Sequence, residues 1–122
     1  MKKQQSGFTL IELVMVIVIL GILAASAIPS FVDVSGDAEK AAVDGVAGAL
    51  GSASAINYAV RSMDSAKGAA VTDCGDLSSV LEGGLPTGYA LDATQTIAAG
   101  ATVSCTITKG STVSNFVGHG IT

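Results

Sequence analysis

The chain has few of the residues from which active sites are usually built. Among its 122 residues there are one histidine, two cysteines and no tryptophan. His119 stands between two glycines near the end, so we expect it to be a solvated side chain. No serine or cysteine triad, HExxH, P-loop or dinucleotide-binding pattern is present. We therefore expect a protein that is not an enzyme and binds no cofactor.

Basic residues are scarce as well. Six basic residues stand against ten acidic ones, giving a formal net charge of −4, and this balance argues against nucleic-acid binding. The simplest interpretation of the acidity is solubility. Four carboxylates, Asp73, Asp76, Glu82 and Asp92, supply the oxygen atoms that calcium prefers, but their spacing matches no calcium loop. We predict no metal site.

One long apolar run dominates the first quarter of the chain. Between Phe8 and Ile28 only Thr9, Glu12 and Ser26 have polar side chains. As a helix this run would be about 30 Å long, the thickness of the hydrocarbon core of a bilayer. Two lysines precede it, at positions 2 and 3, so the amino end is expected to stay in the cytoplasm.

Glu12 is the unusual residue of this run. An acidic side chain at the centre of a membrane helix costs roughly 3 kcal/mol, and less near the interface, where Glu12 lies. Such a residue indicates a function and needs a cationic partner. If the chain were cut after Gly7, Phe8 would carry a free ammonium group. Glu12 of one subunit would then neutralise Phe8 of the next, a head-to-tail contact that builds a filament if it does not close.

Two other interpretations of this segment remain open. An ordinary secretory signal peptide would use Ala25-Ser26-Ala27 as its cleavage site, and an uncleaved membrane anchor would need no cleavage at all. Glu12 argues against the signal peptide, because a charge near the start of its apolar region is a cost with no purpose.

The opening residues resemble the leader and cleavage box of bacterial type IV pilins and pseudopilins. The resemblance covers residues 1–31 and rests on Lys2-Lys3 followed by Gly7-Phe8-Thr9-Leu10-Ile11-Glu12. It implies that a prepilin peptidase removes residues 1–7, cutting between Gly7 and Phe8, and N-methylates Phe8. It also implies that Glu12 sets the register of assembly. The short leader is similar to the type IVa kind, and residues 33–58 more loosely resemble mannose-sensitive haemagglutinin (MSHA) pilins.

Gly21 and Pro29 bracket the second half of the apolar run. Proline removes a backbone donor and glycine lowers helix propensity, so this part of the helix should be its weakest. We predict a helix break there, in the form of a kink or of local unwinding within a fibre. The boundary between a transmembrane or fibre-core helix (8–29) and an exported head (30–122) is predicted at 27–31.

The head is predicted to be α+β, the type IV pilin fold. One long amino-terminal helix is expected, with the apolar run as its first half and an amphipathic second half at 36–63. The apolar stripe of this second half should cover a small antiparallel sheet of about three strands. A loop at 64–89, with a possible short helix at 77–81, separates this helix from strands within 90–117. The strands are expected at 90–98, 101–108 and 112–117. The stripe consists of Val43, Val46, Leu50, Ala53, Ile56, Val60 and Met63.

The two cysteines, Cys74 and Cys105, lie in the segment that follows the apolar run. If the amino end is cytoplasmic, this segment is exported to a compartment in which a disulfide persists. Closing a loop of about 30 residues adds about 3–4 kcal/mol of stability in the chain-entropy model. We predict that the two cysteines are bonded to each other.

The resemblance implies a structural function. The mature chain would be a pilus subunit, a homo-oligomer in a helical filament raised from the bacterial inner membrane by the pilus assembly machinery. The filament would be extracellular and would serve adhesion or twitching motility. The alternative that shares the same opening segment is a major pseudopilin of type II secretion, which forms a short periplasmic fibre. An anchored enzyme or binding domain is a third alternative, and no site supports it.

Overall fold

The computed structural model describes residues 6–122, with the backbone alone for Val32 and Asp33. The chain divides into two compact units, one ending at Asp37 and the other running from Ala38 to Thr122. We call residues 10–37 the stem and residues 38–122 the head. The first helix, α1 (Leu10–Met63), contributes residues to both units. The predicted end of the helix at residue 63 is confirmed. The predicted boundary at 27–31 between a transmembrane or fibre-core helix and an exported head stays a prediction.

α1 is continuous through Gly21 and Pro29. The helix is therefore not interrupted at these residues in the single chain, and the predicted kink stays a prediction. Proline removes only one donor from the backbone ladder, and the flanking turns keep their own hydrogen bonds. The predicted single long helix, with 36–63 as its second half, is confirmed. Unwinding at Gly21 and Pro29 within an assembled fibre stays a prediction.

The stem buries none of the side chains that the structure describes in it. Its large apolar residues are exposed, from Val14 at 44% to Leu10 at 81%. An 18-residue window of α1 near the amino end has a mean hydropathy of 2.7, so length and composition fit a membrane span. A helix that is apolar all round needs lipid or other helices to cover it.

The head contains a three-stranded antiparallel sheet in the order β1-β2-β3, formed by β1 (Tyr89–Leu91), β2 (Thr102–Lys109) and β3 (Thr112–His119). The β2–β3 hairpin pairs Thr102 with His119 and Lys109 with Thr112. Gly110 makes the turn with a φ of +60°, which glycine adopts readily. The predicted α+β architecture, a long amino-terminal helix with a small sheet, is confirmed.

The first strand is much shorter than the predicted 90–98. The side chain of Asp92 ends it, because Oδ1 accepts hydrogen bonds from the backbone N–H and the hydroxyl of Thr94. This local turn competes with strand pairing. The chain then turns inward, and Ile97 enters the core with 3% of its surface exposed. The short helix in the preceding loop is a 3-10 helix at Gly75–Ser79, two residues earlier than predicted.

The apolar stripe on α1 is confirmed in its first half and wrong in its second. Val43 and Leu50 are fully buried, whereas Ile56 is 65% exposed and Met63 is 85% exposed. Ser54 and Asn57 are buried in their place. The buried face of α1 therefore continues along polar residues. The complete apolar core is Val43, Ala47, Leu50, Val71, Cys74, Leu77, Ile97, Cys105, Ile107 and Phe116.

Both buried polar side chains bind backbone groups. The Oγ of Ser54 accepts a hydrogen bond from the backbone N–H of His119 at 2.8 Å. The Asn57 side chain donates to the carbonyl of Ala69 at 2.9 Å and accepts from the N–H of the same residue at 2.8 Å. A buried polar group is tolerated when it is hydrogen-bonded in this way. These contacts attach α1 to the end of β3 and to the loop after the helix.

The expectation that His119 is a solvated side chain is wrong. His119 is half-buried at the end of β3, and its ring centroid lies 5.7 Å from that of Tyr58. The contact with Ser54 explains why, since it holds the end of the strand against α1.

The predicted disulfide is confirmed. Cys74 and Cys105 are joined across a sequence separation of 31, with a Cα–Cα distance of 5.7 Å, and both are fully buried. The bond joins the loop before the 3-10 helix to the inner face of β2. Gly118 lies beside it, and a Cβ at that position would come within 2.8 Å of the Cys105 sulfur.

Candidate assembly site at the start of the helix

Thr9 and Glu12 form a capping box at the first turn of α1. One carboxylate oxygen of Glu12, Oε2, accepts a hydrogen bond from the backbone N–H of Thr9 and another from its hydroxyl, both at 2.8 Å. In return, the N–H of Glu12 donates to the Thr9 hydroxyl oxygen at 3.4 Å. Two of the N–H groups that a helix start leaves without partners are satisfied in this way. The cap fixes where the helix begins and where the carboxylate points.

The predicted cleavage junction lies immediately before this cap. Residues 6–9 have no regular secondary structure, and the Phe8 side chain is 90% exposed. Ser6, Gly7, Phe8 and Glu12 together line one open depression on the surface. The structure thus brings three of the predicted site residues, Gly7, Phe8 and Glu12, to one place. The bond between Gly7 and Phe8 is accessible, and the carboxylate lies beside it.

Thr9 is the functional residue that sequence reasoning missed. Its signal was present, because a threonine followed three residues later by a glutamate, directly before an apolar run, is the pattern of a capping box. From the sequence, the Glu12 carboxylate was expected to need a cationic partner from another subunit. In the structure it already has a local partner at one of its two oxygens.

The other predicted site residues lie apart from this junction. Gly21 and Pro29 lie further along α1, and a Cβ at Gly21 would meet no atom within 4 Å. Cys74 and Cys105 are in the head core. They belong to the fold of the head.

Three of the four acidic residues considered for calcium, Asp73, Asp76 and Asp92, accept local hydrogen bonds. Hydrogen bonds hold the pKa of Asp76 below its ordinary value, and the largest cause is the bond from the Thr72 backbone N–H. Partial burial raises this pKa, whereas the bonds from the Thr72 hydroxyl and the Asp73 N–H lower it further. The pKa of Asp92 is lowered by the hydroxyl and the N–H of Thr94. Residues 6–122 contain no group of three or more histidine, cysteine, aspartate or glutamate side chains that could hold a metal ion.

Comparison with known proteins gives matches at this same segment and beyond it. Residues 2–28 match the family described as the prokaryotic N-terminal methylation motif. The chain is 46% identical over 82 residues to the type IV narrow pilus major component PilA5 of Thermus thermophilus, a match that covers 67% of this chain and 65% of the relative. It is also 64% identical over 33 residues to the type IV major fimbrial protein FimA of Dichelobacter nodosus, covering 27% of this chain and 21% of the relative.

The chain is similar to type IV pilins in its opening segment and over most of its length. The match to the narrow pilus component extends well beyond the opening segment, so the likeness includes much of the head. The matches span less than two thirds of the length of these relatives. No solved structure matches this chain. The finer likenesses, to type IVa and to MSHA pilins, stay predictions.

The similarity to major pilins does not favour the pseudopilin alternative. The two classes share the opening segment, so that segment cannot separate them. The relatives of this chain are components of fimbriae and pili by their descriptions.

Proposed function

We propose that the mature chain is the structural subunit of a type IV pilus. The observation that carries the proposal is the junction itself, an accessible Gly7–Phe8 bond next to the Glu12 carboxylate at the start of an apolar helix. In the proposal, a prepilin peptidase cuts this bond and methylates the new amino group of Phe8. The subunits then assemble through their stems.

The capping box gives the carboxylate a defined orientation for this task. Thr9 occupies Oε2, and the other oxygen, Oε1, accepts no hydrogen bond from residues 6–122. In the proposed filament, Oε1 faces the Phe8 ammonium group of a neighbouring subunit. An ion pair away from water is strong, and removing one partner is costly because it leaves an uncompensated charge.

Assembly of this kind gives the chain two successive locations. Before assembly the stem is a single-pass anchor in the inner membrane, with the amino end in the cytoplasm and the head exported. The pilus assembly machinery then transfers it into an extracellular filament, whose apolar interior is formed by residues 10–23. Attachment to surfaces and twitching motility are the uses that the family likeness suggests.

The charge of Glu12 can be tested separately from its capping role. Glutamine also completes a capping box, so Glu12→Gln keeps the bond to Thr9 and removes the charge. Glu39→Gln is the matched control, since Glu39 is an exposed glutamate on the same helix. We expect cells with Glu12→Gln to lose most of their sheared surface filaments, and cells with Glu39→Gln to keep them. Normal filament yield with Glu12→Gln would refute the assigned role.

A further inference from the structure

The sheet of the head has two edges that are built differently. At one edge, β1 has only three residues, and the backbone N–H of Tyr89 already donates to the carbonyl of Pro86. At the other edge, β3 is eight residues long, pairs with β2 in an unbroken register and contains no proline, lysine or acidic residue. Proteins usually protect a sheet edge by making it short, charged or bulged. The β3 edge has none of these protections.

The backbone groups of β3 that point away from β2 belong to alternate residues. The N–H of His119 donates to the Oγ of Ser54 on α1, so His119 faces outward from the sheet. Because the hydrogen bonds of an antiparallel strand alternate between its two sides, Val113, Asn115 and Val117 face outward as well. Their N–H and C=O groups have no hydrogen-bond partner in the part of the chain that the structure describes. We call these three residues the free edge.

The side chains of the free edge read the same in both directions, with a valine on each side of Asn115. They lie on the face of the sheet away from α1, because the alternating residue Phe116 is buried against the helix. The two valines are 48% and 50% exposed. The Oδ1 of Asn115 accepts a hydrogen bond from the Thr106 hydroxyl, and its Nδ2 has no acceptor among the described residues. The free edge is therefore complementary to itself.

An open groove lies between α1 and part of the free edge. On the helix it is lined by small residues such as Gly48 and Gly51. A Cβ at Gly48 would meet no atom within 4 Å. The one charged residue of the groove, Asp44, is already paired with Lys40 and with the Ser114 hydroxyl. A further strand therefore has room beside β3 and leaves no charge without its partner.

We propose that the free edge of one head pairs with the free edge of a second copy of this chain, antiparallel and about a two-fold axis at Asn115. Each Val113 then lies opposite a Val117, and every outward N–H and C=O group of the free edge gains a partner. The Nδ2 of each Asn115 donates to the Oδ1 of the other. Main-chain pairing gives the contact its affinity, and the matching order of side chains selects a second copy as the partner.

The two-fold axis also determines how the helices lie. The head parts of α1 in the two copies lie on the same face of the joined sheet and run in opposite directions. Their sides with Gly48 and Gly51 face each other, and these residues allow a close approach. Copies stacked by the stem contact all point the same way, so the paired heads belong to two filaments. This last step rests on the proposed function, whereas the pairing itself needs only the head.

A cross-linking experiment on the full-length chain tests the pairing. Asn115→Cys puts a cysteine on the axis, so this variant alone should give a disulfide-linked dimer when sheared filaments are oxidised, thiol-blocked and run on a non-reducing gel. Val113→Cys and Val117→Cys should each give a dimer only when the two are mixed. Ser104→Cys is the matched control and should give none, since Ser104 is exposed on the same face but lies one strand further from the edge. The native disulfide is buried and takes no part.

A charge on the axis gives a second measurement. Asn115→Lys places like charges opposite each other, which destabilises a strand pair. In electron micrographs of sheared material, Asn115→Lys should keep its filaments and lose their side-by-side association, whereas Ser104→Lys should keep both.

The outcomes separate the pairing from the proposed function. Absence of the Asn115→Cys dimer, or an equal yield from Ser104→Cys, would overturn the pairing while filaments still form. Unaltered filaments that lie singly, or an association that survives Asn115→Lys, would overturn the joining of filaments. If the unaltered chain makes no filament, the proposed function fails, and the same cysteine variants in detergent micelles then decide the pairing by itself.

Discussion

The stem and the head share one helix and differ in what stabilises them. In the stem every side chain that the structure describes is exposed, although most of them are apolar. In the head the same helix buries Val43, Ala47 and Leu50 against the sheet and the disulfide. The head therefore carries its own core, whereas the stem needs lipid or other copies to cover it. This difference fits the proposed transfer of a subunit from a membrane to a filament, because that transfer would change only the surroundings of the stem.

The largest expected difference is in the response to losing an apolar side chain. Leu50 is fully buried, so Leu50→Ala should lower the free energy of unfolding of the head by about 3–5 kcal/mol. Ile22 is 66% exposed, so Ile22→Ala should leave that free energy unchanged. Chemical denaturation of the full chain in detergent micelles measures both. Equal losses would mean that the stem contributes to the stability of the head, contrary to this account.

The next effect is the loss of the disulfide. Replacing Cys74 and Cys105 together by serine should cost the head about 3–4 kcal/mol, since the unfolded chain is no longer constrained by a loop of this length. Helical content of the stem should not change. Denaturation curves followed by circular dichroism report both quantities. If the double variant had the same free energy of unfolding as the unaltered chain, the disulfide between β2 and the loop would not stabilise the head, contrary to this prediction.

A smaller effect is expected at Asn57. Asn57→Ala leaves the N–H and the carbonyl of Ala69 without their side-chain partner, and we expect a loss of about 1–3 kcal/mol. Asn115→Ala is the control, because Asn115 is exposed and bonded to a single side chain, that of Thr106. Thermal unfolding compares the two. A larger loss at Asn115 would show that the polar contacts of α1 do not hold the loop in place.

The smallest effect concerns pH. The folded head lowers the pKa of Asp76, mainly through the Thr72 backbone N–H, so this carboxylate stabilises the head above its unfolded pKa of about 3.9. That contribution is lost as the pH falls through the lowered folded value. The stability of Asp76→Asn should therefore depend less on pH below about 4 than that of the unaltered chain. Glu82→Gln is the control, because Glu82 is exposed. If it reduced the pH dependence of stability as much as Asp76→Asn does, the effect could not be assigned to Asp76.

Local patterns predicted the parts of the fold that local forces determine. The apolar run, the β2–β3 hairpin and the helix end at Met63 follow from hydropathy, alternation and turn residues. Of the candidate site, Glu12 was singled out as a charge in an apolar run, and Gly7 and Phe8 by the resemblance to pilins. The roles of all three stay predictions. Thr9 was missed, although its spacing from Glu12 was visible in the sequence.

The errors arose where distant partners decide the outcome. Ser54 and Asn57 look like surface residues of α1, and they are buried because His119 and Ala69 supply backbone partners from elsewhere in the chain. Periodicity cannot show such partners, so it assigned Ile56 to the core. The first strand was predicted to be too long for a local reason, because Asp92 forms a turn with Thr94 that ends the strand.

The central claim is that a carboxylate in the apolar stem is matched by an amino group that exists only after cleavage. The intact mass of the subunit from sheared surface filaments tests it most directly. The account predicts a chain that begins at Phe8 and carries one methyl group on its amino end. A subunit that retains Met1, or one that begins at Ile28 after signal-peptide cleavage, would contradict it.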